Sequence, residues 1–527
     1  MRRQAFAYRR HVRGDAKHII EAAAAQDLDA VFGTLIRPQT ARIRPERCDL
    51  PKEAMGDAAA PWAEALQRAV GYASDAAATN LGRPPTSPCW SLVLPSVAVA
   101  STLLLKDPQP RRAAQKGPKT TFYNSIRLRS GVAFLLELAC CFMMYVLSYI
   151  RRPKRATTSD VVAIYCGFGF IPGEKRHWDG HSITRGAGGS EQCAIRLARC
   201  LARRGKRVTV FSGRRPRALK IEGVTYAPAR SFDVRGTYEA VVVWRVPQIL
   251  LVQAWLGRSI KTDALSFWVH DGSYLSLLEA AGAFFRKEIR RAVRIADHIV
   301  YPSSEMRVAQ HAALFPAKDA HDGGRDVLQS ACVVPHGVPR YFDDVDDSRR
   351  RDGWLLWPVS PERGLDTLLK MLPRLRRAVL NRGGDFRVVV CHLQSGYHGN
   401  TTMDLPDDVV FAGLLPPHRL AAMLRSCALF VFPSSVPEAF SLATWECALH
   451  GVVPLVYGLG ALASLERVGC PCVAPGDVDA LADRAVELLA SPAKAARLRK
   501  EVVGRARASA RDWATNARFW QATVLRP

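Results

Sequence analysis

The chain has 527 residues, and its 74 Lys and Arg against 48 Asp and Glu give a formal net charge of +26. With 48% hydrophobic and 23% charged residues it has globular rather than disordered composition, and its length suits about three units of ~150 residues. No Gly-X-Y repeat, no sustained heptad and at most two long apolar runs exclude collagen, coiled coil and polytopic membrane protein.

Residues 1–130 read as a basic, partly disordered extension: Met1–His18 holds five Arg, and an Ala-rich and a Pro-rich stretch follow. Thirteen scattered cysteines without a Cys-x-x-Cys pair give neither a disulfide framework nor a structural zinc site. The positive charge suits phosphate-bearing partners in general. Without zinc-finger spacing or a compact basic stripe, no specific nucleic-acid partner is expected.

Residues 131–150, GVAFLLELACCFMMYVLSYI, are long enough to cross a bilayer once as a helix, with Glu137 the single charge. A single-pass membrane location is the expectation, and basic residues on both flanks give no orientation. The alternative is an apolar helix packed on the folded part of the chain.

From residue 158 onward short apolar runs alternate with amphipathic stretches. Val161–Tyr165, Val208–Phe211, Val241–Trp244 and Leu265–Val269 read as buried strands, with helical periods over Glu191–Arg204 and Leu277–Ile295. After the acidic Asp343–Asp352 the alternation restarts at Trp354–Val359, Phe386–Cys391, Val409–Ala412, Leu429–Phe432 and Val453–Val456. The fold class is α/β: two doubly wound, Rossmann-like units over 158–340 and 352–505 facing a cleft, with 506–527 a helix packing back on the first unit.

Two stretches carry chemistry. Gly186–Glu191, GAGGSE, opens a helix after the first strand, where small residues and free N–H groups suit an anion. Ser434–Gly451, SSVPEAFSLATWECALHG, runs from a strand into a helix and separates Glu438 from Glu446 by seven residues. The N–H groups of Phe440, Ser441 and Leu442 could hold a diphosphate, and a carboxylate beyond them could accept from a vicinal diol. The strings Asp344–Asp346 and Asp477–Asp479 read as linker charge and as a helix cap, not as metal ligands.

In order and context, GAGGSE, WVHD (268–271), VVPHGV (333–338), SPERGLDTLL (360–369), FAGLLP (411–416) and PEAFSLATWECALHG (437–451) resemble the GT-B glycosyltransferases of the retaining family four, the group 1 family, over residues ~160–520. The resemblance implies a retaining glycosyltransferase, with hexosyl transfer expected, that uses a nucleotide sugar without a metal or other cofactor. The acceptor would be a lipid-linked molecule, a glycan or a protein. It further implies that Glu438 meets the donor sugar near its reacting carbon, that Glu446 binds the ribose, and that Arg363 neutralises the leaving diphosphate. His270 would meet the sugar from the first unit. Gly188, Gly189, Phe440, Ser441 and Leu442 would offer backbone to the donor, and Gly413 would flank the base. Arg363 stands where the family carries Lys, and Trp357 where many members carry Arg six positions earlier. A GT-B-fold, membrane-tethered scaffold without catalysis is the alternative that Trp357 raises.

Overall fold

A computed structural model describes residues 137–138, 140–142, 144–145, 158–169, 178–213, 215–245, 247–270, 282–314, 331–345, 347–391 and 406–526. The extension 1–130 and the rest of 131–150 lie outside these residues.

The described strands form two sheets. In the first lobe they are β1 (Thr158–Tyr165), β2 (Arg207–Phe211), β3 (Leu219–Ile221), β4 (Val224–Ala227), β5 (Thr237–Trp244), β6 (Lys261–Trp268), β7 (His298–Tyr301) and β8 (Ala331–Val333). Their order is β3-β4-β2-β1-β5-β6-β7-β8, parallel except for β3 against β4. In the second lobe β9 (Arg351–Trp357), β10 (Arg387–Val390), β11 (Val409–Phe411), β12 (Cys427–Phe432), β13 (Val453–Tyr457) and β14 (Cys472–Val473) follow the order β11-β10-β9-β12-β13-β14, all parallel. The chain winds outward from β1 and then from β5, and likewise from β9 and then from β12. Each sheet therefore has one switch point where the loops after two adjacent strands diverge and leave a crevice.

Alternation along β1 explains how the first sheet is covered. Val162 and Ile164 face a core that continues without a break into the second lobe, through Trp244, Trp268, Val334, Val338 and Trp520 to Leu355 and Phe430. On that face lies helix Gly189–Arg203, whose Cys193, Ala194, Leu197, Ala198 and Leu201 follow the helical period and are buried. Val161, Ala163 and Tyr165 face a second core built with Leu138, Cys140, Cys141, Met144 and Tyr145 and with the apolar helix Gln248–Leu256.

This second core corrects the membrane expectation for its residues. Residues 137–138, 140–142 and 144–145 are helical and buried against the first sheet, so their apolar surface is covered by protein. Both Glu137 carboxylate oxygens accept the Phe168 N–H at 2.9 Å, which ties the helix to the loop after β1. Tyr145 Oη donates to the Leu256 carbonyl at 2.8 Å, satisfying an acceptor that a helix C-terminus leaves open. Among the described residues no helix is long and apolar enough to cross a membrane.

Helix Trp513–Thr523, capped by Asp512, returns to the first lobe: Ser266 Oγ donates to the Val524 carbonyl at 3.3 Å, and the Trp268 and Trp520 rings meet at 4.8 Å. Asp477 Oδ1 accepts the Ala480 N–H at 2.9 Å, the capping role read from the sequence. All eleven cysteines among the described residues are free.

Candidate active site between the two lobes

The second lobe's switch point lies between β9 and β12, and the loops after these strands bring Arg363 and Glu438 together. Beyond β9 the chain makes a short 3-10 turn over Pro361–Arg363 and enters helix Leu365–Leu380 through Gly364 at φ +119°. A methyl group at Gly364 would lie 2.5 Å from the Pro433 carbonyl oxygen, so only glycine lets this turn pack on the chain leaving β12. The Arg363 guanidinium, with 37% of its side chain exposed, donates to Glu438 Oε1, whose side chain is 9% exposed. From behind, Ala461 N–H donates to the Glu438 carbonyl at 2.8 Å, and Gly460 pairs with Glu438 as an isolated bridge.

Three residues on, Ser441 takes φ +59° and ψ +75°, a left-handed conformation unusual outside glycine. It precedes helix Leu442–Leu449 and gives it no side-chain cap, while its carbonyl accepts the Thr444 and Trp445 N–H groups at 3.2 and 3.4 Å. Such held strain at a helix entry above a sheet switch point is a mark of functional sites.

Glu446 lies on that helix and is buried. Tyr341 Oη donates to its Oε1 at 2.8 Å. Burial pushes the Glu446 carboxyl up to about 7, against the opposing pull of the Tyr341 hydrogen bond and of Arg196. Arg196 belongs to helix Gly189–Arg203, so the first lobe reaches this carboxylate. Tyr341 N–H donates to His450 Nε2 at 3.0 Å, which leaves Nδ1 as the protonated nitrogen, donating to the Glu446 carbonyl at 2.7 Å. Burial holds the His450 imidazole down at about 4, in keeping with that neutral tautomer.

From the first lobe, His270 follows β6 and is buried. Burial, with Arg245 beside it, keeps its imidazole well below the usual histidine range. Its ring stacks on His336 at 4.5 Å, and His336 in turn meets Phe440 at 5.1 Å. His270 is thereby joined to the Glu438 loop across the lobes. Gly188 caps helix Gly189–Arg203, and both Gly188 and Gly189 are exposed; a methyl group at Gly189 would meet nothing within 4 Å. Gly186, at φ +81°, abuts the second lobe: a methyl group there would lie 2.9 Å from the Leu414 carbonyl oxygen, next to Gly413 at φ +75°.

Trp357 is fully buried and meets Phe430 and Phe432 edge-on at 5.9 and 5.8 Å. It fills core at the end of β9 and adds no cation, so Arg363 is the cation the β9 loop contributes. Leu442 is buried in the first turn of its helix. Sequence reasoning missed Tyr341, Arg196, Cys193 and His450, and placed His336 only within the 333–338 motif. The Pro-His-Gly of 335–337 was the one available signal, because the other partnerships join segments more than 100 residues apart or lie on a face that reads as ordinary core.

Residues 354–491 match the family model described as glycosyl transferases group 1. Among solved structures, a sucrose-phosphate synthase from Thermosynechococcus elongatus is 16% identical with a TM-score of 0.50, covering 69% of this chain and 98% of its own. Anabaena HepE in complex with UDP-glucose gives 17% identity and a TM-score of 0.47, with 69% and 98% covered. A UDP-forming trehalose-phosphate synthase from Burkholderia vietnamiensis gives 13% and 0.48, with 69% and 96% covered. No curated protein matches the chain. The likeness to the sucrose-phosphate synthase is one of fold: two parallel α/β lobes in the GT-B-like arrangement.

Proposed function

We propose, from the premise that residues 354–491 make this chain a group 1 glycosyltransferase, that it moves a hexosyl group from a nucleotide sugar to an acceptor with retention and without a metal ion. The observation that carries the site assignment is the Arg363–Glu438 pair at the β9/β12 switch point, at the mouth of the helix bearing Glu446.

Departure of the nucleoside diphosphate builds negative charge on its oxygens and positive charge at the anomeric carbon. Arg363 and the N–H groups of Phe440, Ser441 and Leu442 stabilise the first, acting from fixed positions. Glu438 faces the sugar and stabilises the second, its orientation set by Arg363 and by Ala461 N–H. Glu446 accepts from the ribose hydroxyls in its ionised form, and Gly413 leaves room for the base. Gly188 and Gly189 offer the first lobe's backbone to the phosphates, and neutral His270 meets the sugar from that side. Front-face attack, with the leaving phosphate taking the acceptor proton, gives retention and needs no protein base.

The test is a panel of UDP-, GDP- and ADP-sugars read by released nucleotide, followed by anomeric analysis of the product. Turnover with one donor that Glu438→Ala abolishes supports the reading. An inverted anomer overturns the mechanism, and turnover unchanged by Glu438→Ala overturns the site. No turnover with any donor favours the scaffold alternative.

A further inference from the structure

One cluster in the cleft has no part in the transfer reading beyond His270. Among the described residues, Cys193, His270 and His336 form the group of metal-capable side chains whose ligand atoms lie within 4.8 Å of one another, and all three are buried. They come from three places: Cys193 from the second turn of helix Gly189–Arg203, His270 from the end of β6, and His336 from the segment leading out of β8 toward the second lobe. Each is at least nine-tenths buried. Moreover His270 Nδ1 and His336 Nε2 are buried and have no hydrogen-bond partner. Buried polar nitrogens without partners are costly, so such a pair is an unfavourable way to fill core.

We propose that Cys193, His270 and His336 form a zinc-binding site with one position left open. The donor set, one thiolate and two imidazoles, is that of a borderline-soft d10 cation and lacks the carboxylate oxygens that magnesium and calcium require. Distances allow it: three atoms at most 4.8 Å apart have a common centre within ~2.8 Å of each, against ~2.0–2.1 Å for Zn–N and ~2.3 Å for Zn–S. Closing that gap takes a shift of about 0.5–0.8 Å at each atom. It must also splay the two rings from their 23° near-parallel stack, so that both lone pairs meet one centre. On binding, the Cys193 thiol gives its proton to solvent and the Zn–S bond forms, leaving a centre of charge +1. Arg196, Glu191 and Glu446 act electrostatically on Cys193, and Arg245 on His270. Trp268 and Phe440 wall the site, meeting the His336 ring at 5.5 and 5.1 Å. The site shares His270 with the sugar side of the cleft, so a bound zinc withdraws that imidazole from the sugar instead of assisting the reaction.

The experiment is a titration of the full chain, stripped by chelator and dialysed, with Zn2+ and with Co2+. One retained equivalent per chain, a thiolate-to-cobalt charge-transfer band and a zinc-dependent rise in melting temperature are expected. Cys193→Ser should lose the band and weaken binding at least ~100-fold, and His336→Asn should weaken it similarly, while Cys472→Ser keeps both. Should Cys193→Ser fail to fold, zinc protection of Cys193 against alkylation in the unaltered chain, read by peptide mass, decides the question. Full-strength binding in folded Cys193→Ser and His336→Asn, or Cys193 alkylated equally with and without zinc, overturns the proposal.

Discussion

Tyr341, in the segment between the lobes, donates its hydroxyl to Glu446 Oε1 at 2.8 Å, and its own N–H fixes the His450 ring that in turn holds the Glu446 carbonyl. The carboxyl so held titrates near 7, from an ordinary 4.5, because burial penalises its charge. Between those pH values the folded chain keeps a proton that the unfolded chain releases. Stability therefore falls as pH rises from 4.5 to 7, and the loss is complete above 7. At ~1.4 kcal/mol per pH unit the loss is about 3 kcal/mol at most. Glu446→Gln should flatten this dependence, as urea denaturation at pH 5 and pH 8 would read. An unchanged slope would contradict the assignment.

The same ionisation governs nucleotide binding. Ribose hydroxyls donate to the carboxylate and not to the acid, so affinity for the free nucleoside diphosphate should rise from pH 6 to about pH 7 and level off above it. Isothermal titration of the unaltered chain and of Glu446→Gln compares the two. The variant should bind at least ~10-fold more weakly at pH 8 and show no rise.

Arg363 and Glu438 touch, so their removal should not multiply. Arg363→Ala and Glu438→Ala should each lower kcat/KM about 100- to 1000-fold, the range for one fixed charge-stabilising group. The double variant should be little worse than the weaker single. Strictly multiplicative losses in donor turnover would separate the two residues functionally.

Gly460 supports Glu438 from behind. A methyl group there would lie 2.7 Å from the Glu438 carbonyl oxygen, at φ +61°. Gly476 has φ +88° with nothing within 4 Å, so it carries a positive-φ cost without the collision. Gly476→Ala should lose about 1–2 kcal/mol of stability and Gly460→Ala more, because its φ +61°, ψ −138° backbone suits glycine alone and the methyl collides; only Gly460→Ala should lose most of its turnover. Equal turnover in the two would show that Glu438 needs no such support.

Glu137 answers the Phe168 N–H with both oxygens in a buried setting. Glu137→Ala removes both carboxylate acceptors from that buried donor and should cost about 1–3 kcal/mol in chemical denaturation, while Glu137→Gln, which keeps one acceptor oxygen, should cost less. A neutral Glu137→Ala would mean that this tie contributes nothing to the fold.

The strands of both lobes were legible because buried parallel strands read as continuous apolar runs. Val161–Tyr165 and Leu429–Phe432 lie within β1 and β12. β7 and β8 are too short, and β3 and β4 too polar, to stand out in the same way. The Glu438–Glu446 spacing was visible, since one loop and one helix carry both. Tyr341 and Arg196 were not, because their approach to Glu446 depends on how the lobes meet, which no local period encodes. The apolar run around Glu137 does not by itself separate membrane from core, for a related reason. A helix covering a buried sheet and a helix covered by lipid need the same side chains, and only the partner of the carboxylate separates the two.

Alternation along β1 has a practical corollary. A recombinant fragment cut to begin at residue 158 would keep all fourteen described strands yet leave Val161, Ala163 and Tyr165 facing water where Leu138, Cys141 and Met144 belong. Such a fragment should precipitate or need detergent, and that need would be an artefact of the cut. A fragment that keeps this cover starts upstream of Glu137.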